Sequence, residues 1–117
     1  MTRDEMKHRT KAYANRIAKV CEALPRHWVP RTLGSQLLRC GTSVGANYRA
    51  VCRAKSKADF LNKLRIVEEE CDESLFWMEL LVENDFIKPG RLESLLTEGD
   101  ELLAIFVASA KTVRATS

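Results

Sequence analysis

The sequence predicts an all-α protein, an up-down four-helix bundle, and three observations carry that reading. Apolar residues recur with the three-to-four spacing of a helix face almost everywhere along the 117 residues. Glycine and proline, 5 and 3 in number, are too sparse for the turns that a β-rich fold needs. The prolines and one clear helix-start signal divide the periodic stretches into four, with short links suited to antiparallel neighbours. An apolar fraction of 45% beside 30% charged residues fits a globular chain and excludes a disordered one. One domain over residues 1–117 is expected.

The first segment covers about residues 4–24. Met6, Tyr13, Ile17, Val20 and Leu24 form its apolar stripe, with Lys7, Lys11 and Lys19 on the opposite side. Pro25 ends it, because proline cannot continue a helix interior. Residues 25–30 read as a link bracketed by Pro25 and Pro30, in which Trp28 and Val29 fold back over one end of the core. The second segment, about 32–55, steps through Leu33, Leu37, Cys40, Val44, Tyr48 and Val51. Gly41 and Gly45 stand inside it. A glycine costs a helix about 1 kcal/mol relative to alanine, so the pair implies a close helix crossing or a kink.

Ser56-Lys57-Ala58-Asp59 is a capping box that starts the third segment, about 57–84, and forces a hairpin with the second. Phe60, Leu64, Val67, Cys71, Leu75, Met78 and Val82 give its stripe, which Leu61, Trp77, Leu80 and Leu81 widen. The widening implies burial on more than one side, within the bundle or against another subunit. Pro89 suits the first position of the fourth helix, about 89–113. There Leu92, Leu96, Gly99, Leu103, Phe106, Ala110 and Val113 recur, with Leu95 and Leu102 beside them.

The net charge of +3 hides a division. Residues 1–65 carry 15 basic and 4 acidic side chains, whereas residues 66–117 carry 4 basic and 12 acidic. Such a split points to a nucleic-acid or membrane-surface partner, or to complementary faces within an assembly. No apolar run long enough to span a membrane occurs, and none follows the charged start as in a signal peptide. A cytoplasmic protein without a membrane partner is expected. The four cysteines, 21, 40, 52 and 71, lack the close pairing of zinc ligands and read as reduced and mostly buried.

Catalytic options are few. A di-iron bundle needs Glu-x-x-His on two helices, and neither His8 nor His27 has such a Glu before it. Two scarce histidines also weaken nucleophilic catalysis. Glu69-Glu70-x-x-Glu73 and Glu98-x-x-Glu101 resemble the magnesium-holding carboxylates of all-α nucleotide pyrophosphatases, although the second motif ends in Glu rather than Asp. The plain alternative is a solvated face, with Arg65–Glu69 as an i,i+4 ion pair. No phosphate loop, nucleophile elbow or dinucleotide fingerprint is present. No enzyme activity, cofactor or metal is therefore expected. The basic surface remains, and Lys7, Lys11, Arg39, Arg49, Arg53, Lys55, Lys57 and Lys63 are the nucleic-acid-binding candidates. The competing use of the same cations is to neutralise the acidic third and fourth helices.

Leu24-Pro25, the run from Leu37 to Asn47, the hairpin Arg53–Phe60 and the stretch Glu68-Glu69-Glu70 through Glu73 to Trp77 resemble the bacterial family of 23S rRNA intervening-sequence proteins. The likeness covers roughly residues 10–110. One departure is visible: where many members read Ser-x-Pro-Ala-Asn-Ile-Ala-Glu-Gly, this chain has Ser43-Val44-Gly45-Ala46-Asn47-Tyr48-Arg49-Ala50-Val51. The resemblance implies a four-helix subunit assembled as a ring, typically a homopentamer, in a family mostly without established activity. Similar accessory proteins of diversity-generating retroelements bind nucleic acid and a reverse transcriptase. The expectation is a non-enzymatic ring binding RNA or DNA, with a protein partner also open. The alternatives are a purely structural or protein-interaction ring in which basic and acidic faces pair between subunits and, ranked third, a magnesium-dependent nucleotide pyrophosphatase.

Overall fold

The computed structural model describes residues 1–116 and contains four helices: α1 (Arg3–Glu22), α2 (Trp28–Val51), α3 (Lys57–Glu83) and α4 (Pro89–Ala115). They pack in chain order around a square, each antiparallel to the next, in a rod of 50 × 21 × 20 Å. The seams α1–α2, α2–α3 and α3–α4 are extensive, while α1 meets α4 only thinly. Tyr13, Ile17, Leu37, Val44, Leu64, Val67, Met78, Leu102 and Phe106 fill the shared core. Leu95 and Leu102 lie at the centre of the α4 stripe, with Leu96 and Leu103 at its flank.

The start of α2 departs from the expectation. The helix begins at Trp28 rather than Thr32, because Pro30 occupies its third position, where a backbone N–H has no helical partner to lose. Trp28 and Val29 consequently ride outward on the first turn, Trp28 with 79% of its surface exposed, and do not close the core. Leu24 does so instead: it is buried, and a Cβ on Gly34 would come within 2.6 Å of its Cδ1. The other end of α2 is shorter than expected, stopping at Val51. α1 ends at Glu22, two residues early, since the residue before Pro25 is pushed out of helical backbone.

The capping box at α3 forms by half. The Ser56 hydroxyl accepts the Asp59 N–H at 3.0 Å, but the Asp59 carboxylate takes the N–H of Lys55 at 2.9 Å rather than that of Ser56. At the far end, Asp85 adopts a left-handed φ of 61°. The N–H of Phe86 then reaches the Leu81 carbonyl and that of Asp85 the Val82 carbonyl, both at 3.0 Å, a Schellman ending. All four cysteines are free thiols; Cys40 and Cys71 are buried and Cys21 and Cys52 half-buried. No helix is long and apolar enough to cross a membrane among the described residues.

Candidate nucleic-acid interface

The glycines of α2 determine how near α1 approaches. A Cβ on Gly41 would run into the Ile17 side chain, and one on Gly45 would stand 3.3 Å from the Thr10 carbonyl oxygen. These contacts also fix the register, setting Arg49 across from Lys7 and Ala46 across from Lys11. Above the seam lies an open groove of about 420 Å³. Lys7, Lys11 and Arg49 line its sides with His8 and Asp4, and Ala14, Thr42, Gly45 and Ala46 make its floor. Lys7 and Lys11, one helical turn apart, have Cβ atoms about 5–6 Å from each other.

A second basic zone caps the end of the rod. The start of α1, the α2–α3 link and the last turns of α4 meet there around a cleft lined by Arg3, Lys55, Lys57 and Val113. Arg53 is exposed in the same link, and Arg114 lies in the last turn of α4. Lys57 donates to the Thr116 carbonyl through its ammonium group. Arg3 and His8 join the expected residues through interhelical geometry; no local motif marks them.

Two expected residues are engaged elsewhere. Arg39 bridges to α3, its guanidinium 3.1 Å from Glu70 and 2.7 Å from Glu73. The Glu73 hydrogen bond holds its protonation above the usual arginine range. Lys63 pairs with Asp59 at 2.8 Å, and that ammonium, with the Lys55 N–H, keeps the Asp59 carboxyl below its ordinary value. Among the described residues, Lys7, Lys11, Arg49, Arg53 and Lys55 form no ion pair.

The acidic motifs do not converge. Glu70 and Glu73 face Arg39 on the α2–α3 side. Glu98 and Glu101 face Arg9 on the α1–α4 side, where Arg9 grips Glu98 through two 2.7 Å bonds and Glu101 at 3.1 Å. Carboxylates on opposite sides of the rod, each already holding an arginine, cannot share one magnesium ion in the pyrophosphatase manner. Among the described residues no group of three or more His, Cys, Asp or Glu is placed to hold a metal ion. Arg9 itself went unmarked in the sequence, although it sits with Thr10 in the six-residue gap of the stripe between Met6 and Tyr13. That gap was the available signal.

Beneath these surfaces runs a polar chain. The Ser74 hydroxyl donates to the Cys71 carbonyl at 2.6 Å, which leaves Tyr13 to donate to Ser74 at 2.7 Å. The Cys71 thiol donates to the Gly99 carbonyl at 3.5 Å. Burial pushes the Cys40 and Cys71 thiols up to about 12 and Tyr13 above its ordinary range, so all three stay protonated and unreactive.

A family model for the 23S rRNA-intervening sequence protein matches residues 4–108. The chain belongs to this family. Its fold is similar to the crystal structure of a protein with unknown function from the S23 ribosomal protein family of Bacteroides thetaiotaomicron. The two share 32% identity with a TM-score of 0.83, over 90% of this chain and 97% of that one. A search of curated proteins finds no match. Membership of the 23S rRNA-intervening sequence family agrees with the four-helix bundle; it brings no established activity.

Proposed function

We propose that this protein is a non-enzymatic, ring-forming accessory protein that binds RNA or DNA through its α1–α2 side and the adjoining basic end. The observation that carries this reading is the fate of the cations. Arg39 and Lys63 are neutralised within the subunit, whereas Lys7, Lys11, Arg49, Arg53 and Lys55 keep their charge for a partner. Uncompensated cations on one face attract a phosphate backbone by releasing its counterions, with little regard to sequence. Ring assembly, a homopentamer on the family resemblance, is supported from the opposite side. Ile66 and Phe76 stand exposed on α3, and the Trp77 indole N–H beside Phe76 is buried with no acceptor among the described residues. The two exposed side chains are apolar surface for a second copy to cover, whereas the indole N–H, being buried, is out of a neighbour's reach.

The test is a salt titration of binding to a generic RNA hairpin, with light scattering on the free protein. Measurable binding at low salt, a steep salt dependence and a loss of at least tenfold in Arg49→Glu/Arg53→Glu are expected, with a mass several times 13.3 kDa. Binding indifferent to the double reversal removes the nucleic-acid role and favours a protein-interaction ring. A monomeric mass removes the ring.

A further inference from the structure

Three seams of the rod bring charged side chains from two helices together, and they differ in one respect. On the α1–α4 side, a cleft of about 410 Å³ sets Arg16 among Glu93, Glu98 and Glu101. On the α2–α3 side, Arg39 lies against Glu70 and Glu73. Both contain their own counterions. The α1–α2 groove has Lys7 and Lys11 on one wall and Arg49 on the other, with the exposed Asp4 as its single carboxylate. Its floor of Ala14, Gly45 and Ala46 carries no side chain long enough to fill it.

We propose that this groove is a slot for the backbone of a single nucleic-acid strand. Neighbouring phosphates sit between the Lys7–Lys11 wall and Arg49, and the sugar lies on the alanine floor. The proposal rests on the nucleic-acid reading above and deepens it by naming the strand type. The slot has the volume of a small-molecule pocket, so a duplex can touch its rim but cannot enter. No Phe, Tyr or Trp lines it and His8 is its one ring, so recognition runs mainly through phosphates rather than a platform of stacked bases and tolerates any sequence. The depth depends on small residues at the crossing. A longer side chain at Ala46 closes the slot without altering any charge.

Fluorescence anisotropy with a labelled 12-nucleotide oligouridine strand, and with an RNA duplex of the same length, tests the slot. Ala46→Gln is exposed on a helix and conserves charge, and circular dichroism verifies its fold. It is expected to weaken the strand about tenfold while leaving duplex contact within twofold. Lys7→Gln is expected to reduce the salt slope for the strand by about 0.7, and Lys19→Gln, outside the groove, to leave affinity unchanged within twofold. If the wild type binds the strand and Ala46→Gln and Lys7→Gln bind as well as it does, the slot is wrong and the general surface reading survives. If the wild type binds neither probe at low salt, both readings fall. Inorganic tripolyphosphate that binds more tightly than the strand overturns the strand assignment in favour of a free polyphosphate.

Discussion

Helix α1 has two sides, and they solve opposite problems. Toward α4 the backbones barely meet, and the gap is held by Arg9 on Glu98 and Glu101 and by Arg16 on Ser94 at 2.9 Å. Toward α2 the backbones come as near as glycine permits, and the cations above them form no ion pair among the described residues. Along α1 the close seam carries no electrostatic clamp and leaves its charges available for something outside the chain. The thin α1–α4 seam uses its charges up. Basic side chains of one helix are thus structural on one side, as Arg9 and Arg16, and available on the other, as Lys7 and Lys11, according to what the neighbouring helix presents.

The strongest way to break this contrast is to fill the tight side. Gly41→Leu drives a branched side chain into Ile17, whose Cγ2 and Cγ1 already lie 3.1 and 3.3 Å from where a Cβ would sit. Overpacking and separation of α1 from α2 are expected to cost about 3 kcal/mol in urea unfolding. Full stability would show that the glycines do not set the crossing. Raising the pH tests the core that both sides share. The Cys40 and Cys71 thiols are held neutral in the fold, up to about 12 against an ordinary value of 9.0, mainly by burial. A raised value means their contribution is complete below pH 9 and is lost as pH climbs through the folded value. Stability should fall between pH 9 and 10.5 by on the order of 2 kcal/mol per thiol, and Cys71→Ala should flatten the decline. An unfolding midpoint independent of pH over that window would contradict the burial argument.

The helices were legible because each carries its own period, cap or proline. Ser56, Pro25 and Pro89 mark ends through local backbone chemistry, and the stripes through Tyr13, Val44, Cys71 and Phe106 identify buried faces. Pro30 misled because proline is read as a stop, whereas at the third position of a helix it is harmless. The candidate interface was legible only as a set of cations. Whether Arg39 is free or paired depends on Glu70 and Glu73, more than thirty positions away, and so on the register between α2 and α3. No periodicity records that register. Lys63 is different, since its partner Asp59 lies one turn back and could have been read directly.

The smallest effect is the sharpest test, because it compares two residues of one helix, two positions apart. Arg9 and Glu98 have side chains 23% and 20% exposed, and their two short bonds are charge-assisted. Discounted for solvent, Arg9→Met should destabilise by about 1 kcal/mol, with a coupling of similar size to Glu98→Gln in a double-mutant cycle. Lys7→Met removes an exposed charge with no ion-pair partner among the described residues and should leave the urea midpoint unchanged. In nucleic-acid binding the order should invert: Lys7→Met weakens the complex and Arg9→Met does not. Equal destabilisation by the two would mean that Lys7 is held by a contact within the assembled protein. The α1–α2 side would then be a closed seam, its cations used up by a neighbouring subunit as Arg9 is by α4.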